Sequence, residues 1–248
     1  MLGHNKRGHY RYLPGIEPYS CGAISEPGYE VVHATFLSHP QWKKGFGSAR
    51  SYLENEGIDR FAICGVELRC PAPYPMTGFV DFNEEYCNLL QSWDLHVGAD
   101  NPLARTNVSP AYDPPTETTM HGFSFVAPTL SAESTFVISG AGELRDGNLE
   151  TAPIVREGET SEDAMREKVR FVAGVMGQRL RDLGGEWSEV TTMDVYTIHD
   201  LYGTIKNEVL AGIASGRRHG FRWYPSRPPV VNIEFEMDMR GVRREVYL

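Results

Sequence analysis

Arg217, Arg218, His219, Arg222 and Arg227 crowd one loop, GRRHGFRWYPSR, of a chain that is otherwise acidic. A guanidinium is planar and permanently charged, and it grips a carboxylate through two parallel hydrogen bonds. A cluster of this kind can focus an anionic substrate. For Arg217 and Arg218 the competing reading is a solvated loop with scattered counter-charges. Asn107 lies two residues after Arg105, so on a strand the two share a face; Asn83 and Asn107 either hydrogen-bond a substrate or fix a loop. Other chemistries find little support. The eight His form no HxH or HExxH, and no Cys/His cluster exists, so no metal site is expected. GxSxG and GxGxxG are absent, and the glycines at 45 and 47 lie inside a helical pattern, so no phosphate loop is expected.

The elements that must carry these residues read as a mixture of strands and helices. Tyr29–Leu37 is β-branched and aromatic and predicts a strand. Trp42, Phe46, Ala49 and Leu53 follow helical spacing across 40–56, with Gly57 as a stop. Residues 60–69 predict a strand, and 81–93 a short helix with Asp81 as N-cap. Residues 106–112 and 118–126 suggest a hairpin through Asp113-Pro114-Pro115. Further on come a strand at 135–139, a turn through Asp146-Gly147, and the longest helix at 162–183. That helix carries an apolar stripe of Met165, Val169, Val172, Met176, Leu180 and Leu183, and Gly184-Gly185 ends it. Strands are expected at 190–198, 229–238 and 242–248, with a helix from Asp200 to Ser215 and a turn at Arg240-Gly241. Residues 1–28, punctuated by Pro and Gly, suggest an irregular extension. Both halves thus read strand, helix, strand, helix, strand, strand. Overlaying Gly47 on Gly177 also aligns Leu53 with Leu183. The expected fold class is α+β, a duplicated domain: 1–28 extension, 29–130 first domain, 131–248 second domain.

Composition sets the outer limits. The chain has 248 residues, 41% of them hydrophobic, which suffices for a core and excludes disorder as the main state. With 24 Lys and Arg against 33 Asp and Glu the net charge is −9, so nucleic acid is a poor default partner. No apolar run approaches the roughly 18 residues of a membrane span, and MLGHNKRGHYRYLPG has no apolar signal-peptide core. Cys21, Cys64, Cys70 and Cys87 show no CxxC spacing. A reducing, cytoplasmic location is expected.

Several short motifs, in order, resemble the RidA (YjgF) family. Val137-Ile138-Ser139-Gly140 resembles its "SGQ" strand, with Ala141 where Gln is usual. The LRDLGGEWSEVTTMDVYTIHD stretch is similar to its helix–strand junction, and Tyr224-Pro225-Ser226-Arg227-Pro228 to its "P-A-R" motif. In the first half, Phe79-Val80-Asp81-Phe82-Asn83-Glu84-Glu85-Tyr86 resembles "F..FN..Y", and Leu103-Ala104-Arg105-Thr106 resembles "P-A-R-T". The resemblance covers roughly residues 29–127 and 133–248.

The resemblance implies two tandem chorismate mutase-like domains, each a β-sheet backed by two helices, and a homo-oligomer, a trimer or a multiple of it. It implies hydrolysis of an enamine or imine acid to the oxo acid and ammonia, without cofactor or metal. Two domains on one chain imply a specialised substrate, and an aminomuconate-type dicarboxylate would use two arginines. By resemblance those are Arg105 and Arg227; Arg222 of the basic loop, Asn83 and Asn107 are the further candidates for substrate contact. Glu245, expected on a strand returning beside Arg227, and His121 are the candidate proton-transfer groups. Glu245 as an exposed strand residue and His121 as a structural histidine are the bland alternatives. Two other readings stay open: a chorismatase-like hydrolase of an enolpyruvyl ether, although chorismatases are typically longer, and a non-catalytic protein that senses a small carboxylate.

Overall fold

A computed structural model of the chain describes residues 1–145 and 153–248. In chain order the strands are β1 (Gly3–Asn5), β2 (Tyr10–Leu13), β3 (Gly22–Ser25), β4 (Tyr29–Thr35), β5 (Ile63–Arg69), β6 (Ala104–Pro110), β7 (Thr119–Pro128), β8 (Phe136–Gly142), β9 (Thr192–Tyr196), β10 (Arg222–Tyr224), β11 (Ser226–Arg227), β12 (Glu236–Gly241) and β13 (Arg244–Tyr247). The helices are α1 (Trp42–Asn55), α2 (Met76–Ser92), α3 (Glu162–Leu183) and the short α4 (Tyr202–Ile205). Among the described residues no helix is long and apolar enough to cross a membrane.

Two sheets form, the first ordered β11-β6-β5-β7-β4-β13 and the second β1-β2-β3-β8-β12-β9-β10. One plan recurs inside both. In the first, β6-β5-β7-β4 pair parallel, antiparallel, antiparallel; in the second, β10-β9-β12-β8 do the same. Helices cover the outer faces. The apolar stripe of α3 packs on β8, β9 and β12, and α1 and α2 pack their aromatic and aliphatic faces on the other sheet. Ser161 caps α3, its Oγ accepting from the Ala164 amide, and Gly184 ends it at φ 85°, a left-handed value that glycine adopts without Cβ strain. The inner faces of the sheets meet, chiefly through β6 and β8.

Several expectations are corrected. Residues 1–28 are not irregular: they supply β1–β3, and β3 pairs with β8, extending the second sheet. Tyr10 and Tyr12 are buried there, and Tyr10 donates to the Ile63 carbonyl of the first sheet. Residues 106–112 and 118–126 form no hairpin. Strand β5 is buried along its whole length, so it takes the central place between β6 and β7, and 111–118 crosses over it. Helix α2 begins at Met76, because Pro75 presets the backbone before the first turn, and Asp81 lies inside it. The helix expected to reach Ser215 stops early: Tyr202–Ile205 passes into a wide π-turn, and glycines at 203 and 212 weaken the regular helix. Residues 229–235 form a loop with Asn232 at φ 75°, and the strand runs over Glu236–Gly241, placing Arg240-Gly241 inside it. The last strand leaves its own half and pairs in parallel with β4. The turn at Asp146-Gly147 lies outside the described residues.

Candidate active site between the two sheets

The chemistry concentrates where β6 of one sheet faces β8 and β12 of the other. Arg105 on β6 is 4% exposed, yet among the described residues no carboxylate oxygen lies within 4.0 Å of it. Its Nη2 donates to Asn83 Oδ1 at 2.6 Å, and its Nη1 is buried with no partner. Aromatic rings surround the guanidinium, with Tyr86 and Tyr19 centroids at 4.7 and 4.8 Å and Phe79 and Phe82 at 5.6 and 5.7 Å. Ring faces offset part of the cost of burying the cation. Four residues of this shell, Phe79, Phe82, Asn83 and Tyr86, lie on one face of α2 at helical spacing. They are also the residues that carry the "F..FN..Y" resemblance, which thereby acquires a chemical meaning as the cage of an arginine.

Beside Arg105 lies a cavity of about 130 Å³. Asn107, Arg179 and Glu236 contribute polar groups to it, and Phe79, Leu144, Val175, Val230 and Ile233 give it apolar walls. Asn107 is buried with neither its Oδ1 nor its Nδ2 paired. Arg179 projects from α3, and its Nη1 donates to the carbonyls of Ser139 at 2.9 Å and Gly140 at 3.2 Å. Glu236 on β12 is fully buried. Desolvation raises its pKa well above the ordinary carboxylate range, and the charges of Asp238 and Glu143 push the same way, against the pull of Arg105 and Arg179. Burial therefore favours the protonated form of this carboxyl, which can act as a proton donor. Gly140 is what lets Glu236 lie there, since a Cβ at 140 would overlap Glu236 Oε1.

Behind the cavity the inner faces stay polar. Glu236, Asp238 and Arg240 alternate along β12 and are all buried. Asp238 Oδ2 accepts from Thr106 Oγ1 at 2.6 Å and from the Tyr196 hydroxyl at 3.0 Å. Burial and the neighbouring Asp194 and Glu67 raise its pKa well above the usual range. Arg240 Nη1 donates to Asp194 at 2.8 Å and lies 3.4 Å from Glu67. Glu67, Asp194 and Asp238 each bring an oxygen within 4.8 Å of the others, but Arg240 already supplies positive charge to two of them.

The residues expected from sequence fall into separate places. Arg105, Asn83 and Asn107 come together. Arg227 does not join them. Its side chain is 43% exposed and 3.4 Å from Glu234 Oε2, an oxygen that also lies 2.8 Å from His199 Nε2. The second guanidinium of the cavity is Arg179. Glu245 does not return beside Arg227: β13 and β11 are opposite edges of the six-stranded sheet, because the chain crosses to β4 after β12. Glu245 instead lies 3.5 Å from both Arg222 and Arg240. His121 belongs to the polar cluster, its Nδ1 3.0 Å from His39 Nε2 and its Nε2 3.9 Å from Glu67. Desolvation, reinforced by Arg69, lowers its pKa to about 3, so it is neutral at pH 7. Arg179, Glu236 and Tyr19 were not singled out from sequence. The one signal was the alternation in Glu234-Phe235-Glu236-Met237-Asp238-Met239-Arg240, which ordinarily marks a solvated strand face.

The family model described as 2-aminomuconate deaminase CnbZ matches residues 2–246. The 2-amino-5-chloromuconate deaminase of Comamonas testosteroni is 38% identical over 248 residues, spanning 97% of this chain and 96% of that protein. Among solved structures, a chorismatase superposes with TM-score 0.51 at 10% identity, covering 97% of this chain and 79% of its own, a likeness of fold alone. The YjgF protein of E. coli gives TM-score 0.31 at 12% identity, over 44% of this chain and 81% of its own.

Proposed function

The chain belongs to the 2-aminomuconate deaminase CnbZ family, and from that premise we propose that it is a hydrolase that deaminates an aminomuconate-type enamine dicarboxylate to the 2-oxo acid and ammonia. The observation that carries this reading is Arg105: a buried guanidinium with no carboxylate within 4.0 Å among the described residues, opening with unpaired Asn107 onto a cavity that also holds the buried carboxyl of Glu236. A buried charge of this kind calls for an anionic ligand.

Arg105 receives the carboxylate next to the amine-bearing carbon. Asn83 fixes its Nη2, leaving Nη1 for the substrate. Asn107 offers one donor and one acceptor to the amine or to the attacking water. Glu236, protonated, delivers a proton to the enamine carbon adjacent to the C–N carbon, which gives the iminium. As a carboxylate it then takes a proton from the water that attacks the C=N carbon. The carbinolamine expels ammonia, and the oxygen of water remains as the oxo group. One carboxyl serves both steps: burial favours the acid at the start, and giving up that proton leaves the carboxylate that the water step needs.

The experiment is ammonia release from freshly generated 2-aminomuconate. Glu236→Gln keeps the shape and loses the proton, so kcat is expected to fall about 100-fold with KM changed less than about threefold. Because Glu236 acts first as an acid, wild-type activity should decline as pH rises through its elevated pKa, and the variant should lack that alkaline limb. Release at the spontaneous rate from wild type would overturn the reading. Gly140→Ala tests the geometry: the added methyl displaces the Glu236 carboxyl, and kcat is expected to fall at least tenfold, while overpacking costs only about 1–3 kcal/mol of stability. Unchanged turnover in Gly140→Ala would show that the placement of Glu236 does not matter.

The proposal extends to architecture. The two halves are read as tandem RidA-like domains, supported by the strand order and directions that recur in both sheets. The residues named in the cavity all come from one chain; the expected homo-oligomer is measured by light scattering.

A further inference from the structure

We propose that Arg179 is the residue that makes this site select substrates with a carboxylate at each end. The inference rests on the deaminase reading for its chemistry but is tested by binding alone. Arg179 and Val175 stand one turn apart on α3 and both line the Arg105 cavity. The carbonyls of Ser139 and Gly140 hold one nitrogen of the guanidinium. Arginine has five N–H donors, so those two acceptors leave the rest of the fork for a ligand. Among the described residues no carboxylate lies within 4.0 Å of Arg179, as is true of Arg105.

Charge balance then narrows the ligand. The cavity contains two guanidinium groups and, in Glu236, a carboxyl whose burial favours the protonated form; among the described residues nothing else lining it carries a negative charge. A monoanion would satisfy one cation and leave the other. A dianion satisfies both, and the apolar wall of Leu144, Val230 and Ile233 suits the hydrocarbon between its ends. Backbone anchoring of Arg179 also lowers the ordering cost of recruiting it, which favours a binding role. The competing reading is that Arg179 merely ties α3 to β8.

Muconate and sorbate separate the two. Both are inert six-carbon dienes, one with a carboxylate at each end and the other with a single one. By calorimetry, wild type is expected to bind muconate at least 10-fold more tightly than sorbate. Arg179→Met is expected to weaken muconate binding to the level of sorbate, leave sorbate within about threefold, and melt close to wild type. Equal affinity of wild type for both ligands, failure to bind either, or parallel weakening of both in Arg179→Met would overturn the assignment. Turnover gives a second reading: the ratio of kcat/KM for 2-aminomuconate to that for 2-aminoacrylate, a monocarboxylate enamine, should fall about 100-fold in Arg179→Met, whatever the change common to both substrates. Normal muconate selectivity without ammonia release would sink the deaminase reading and leave this one standing.

Discussion

Replacing Arg105 with methionine is expected to abolish useful turnover while leaving the protein at least as stable as wild type. The two effects have one cause. In the free protein the guanidinium is buried among Tyr19, Phe79, Phe82 and Tyr86, with a single amide oxygen as its charge-assisted partner. Desolvating an unneutralised cation costs several kcal/mol, which the aromatic faces and Asn83 only partly offset. Methionine fills a similar length without a charge, and its thioether packs well on rings. The folded protein should therefore keep or gain melting temperature. Substrate, by contrast, loses its buried charge-assisted contact, worth roughly 3–4 kcal/mol, so kcat/KM should drop about 200- to 1,000-fold. Ammonia release and a thermal melt on the same preparation check both halves. A variant that loses activity only because it unfolds would show that Arg105 belongs to the scaffold, and one that keeps activity would remove it from the site.

The largest stability effect is expected at Lys168. Its ammonium on α3 and the carboxylate of Glu143, just after β8, are both fully buried and 3.1 Å apart. Glu143 also accepts from the amides of Glu234 at 2.6 Å and Phe235 at 3.0 Å. Burial pushes the pKa of Glu143 up, and the amides and Lys168 pull it back. The pair thus pins the end of the 229–235 loop, which carries Val230 and Ile233 into the cavity wall. Lys168→Met leaves a buried carboxylate without its counter-ion, a loss of about 3–5 kcal/mol. For a chain of this size that lowers Tm by roughly 6–20 °C. Adding Glu143→Gln removes the stranded charge, so the double variant should cost less than the sum of the singles. Simple additivity in that cycle would mean that the two groups do not act as a pair. Apart from Tm, KM should rise in Lys168→Met, because the loop that walls the cavity is released.

Much of this was legible in the residues themselves. The helix over 162–183 follows from its apolar stripe and Gly184, because helical period and termini are local properties. Arg105 and Asn83 follow from motif resemblance and Asn107 from strand alternation with Arg105, and the deaminase reading follows from the same motifs. Tertiary structure decided the rest. Glu236, Asp238 and Arg240 look like a solvated strand face, and only the opposing sheet turns that face inward and raises the carboxyl pKa values. Arg179 sits in an ordinary helix, and only the packing of α3 on β8 aims it at Arg105's cavity. Arg227 and Glu245 resembled a pair in sequence, yet the crossing of the last strand to β4 sends them to opposite edges of one sheet. Spacing along a chain fixes what a residue's neighbours in its own element are; which cation is left without a counter-ion depends on what another element brings to it.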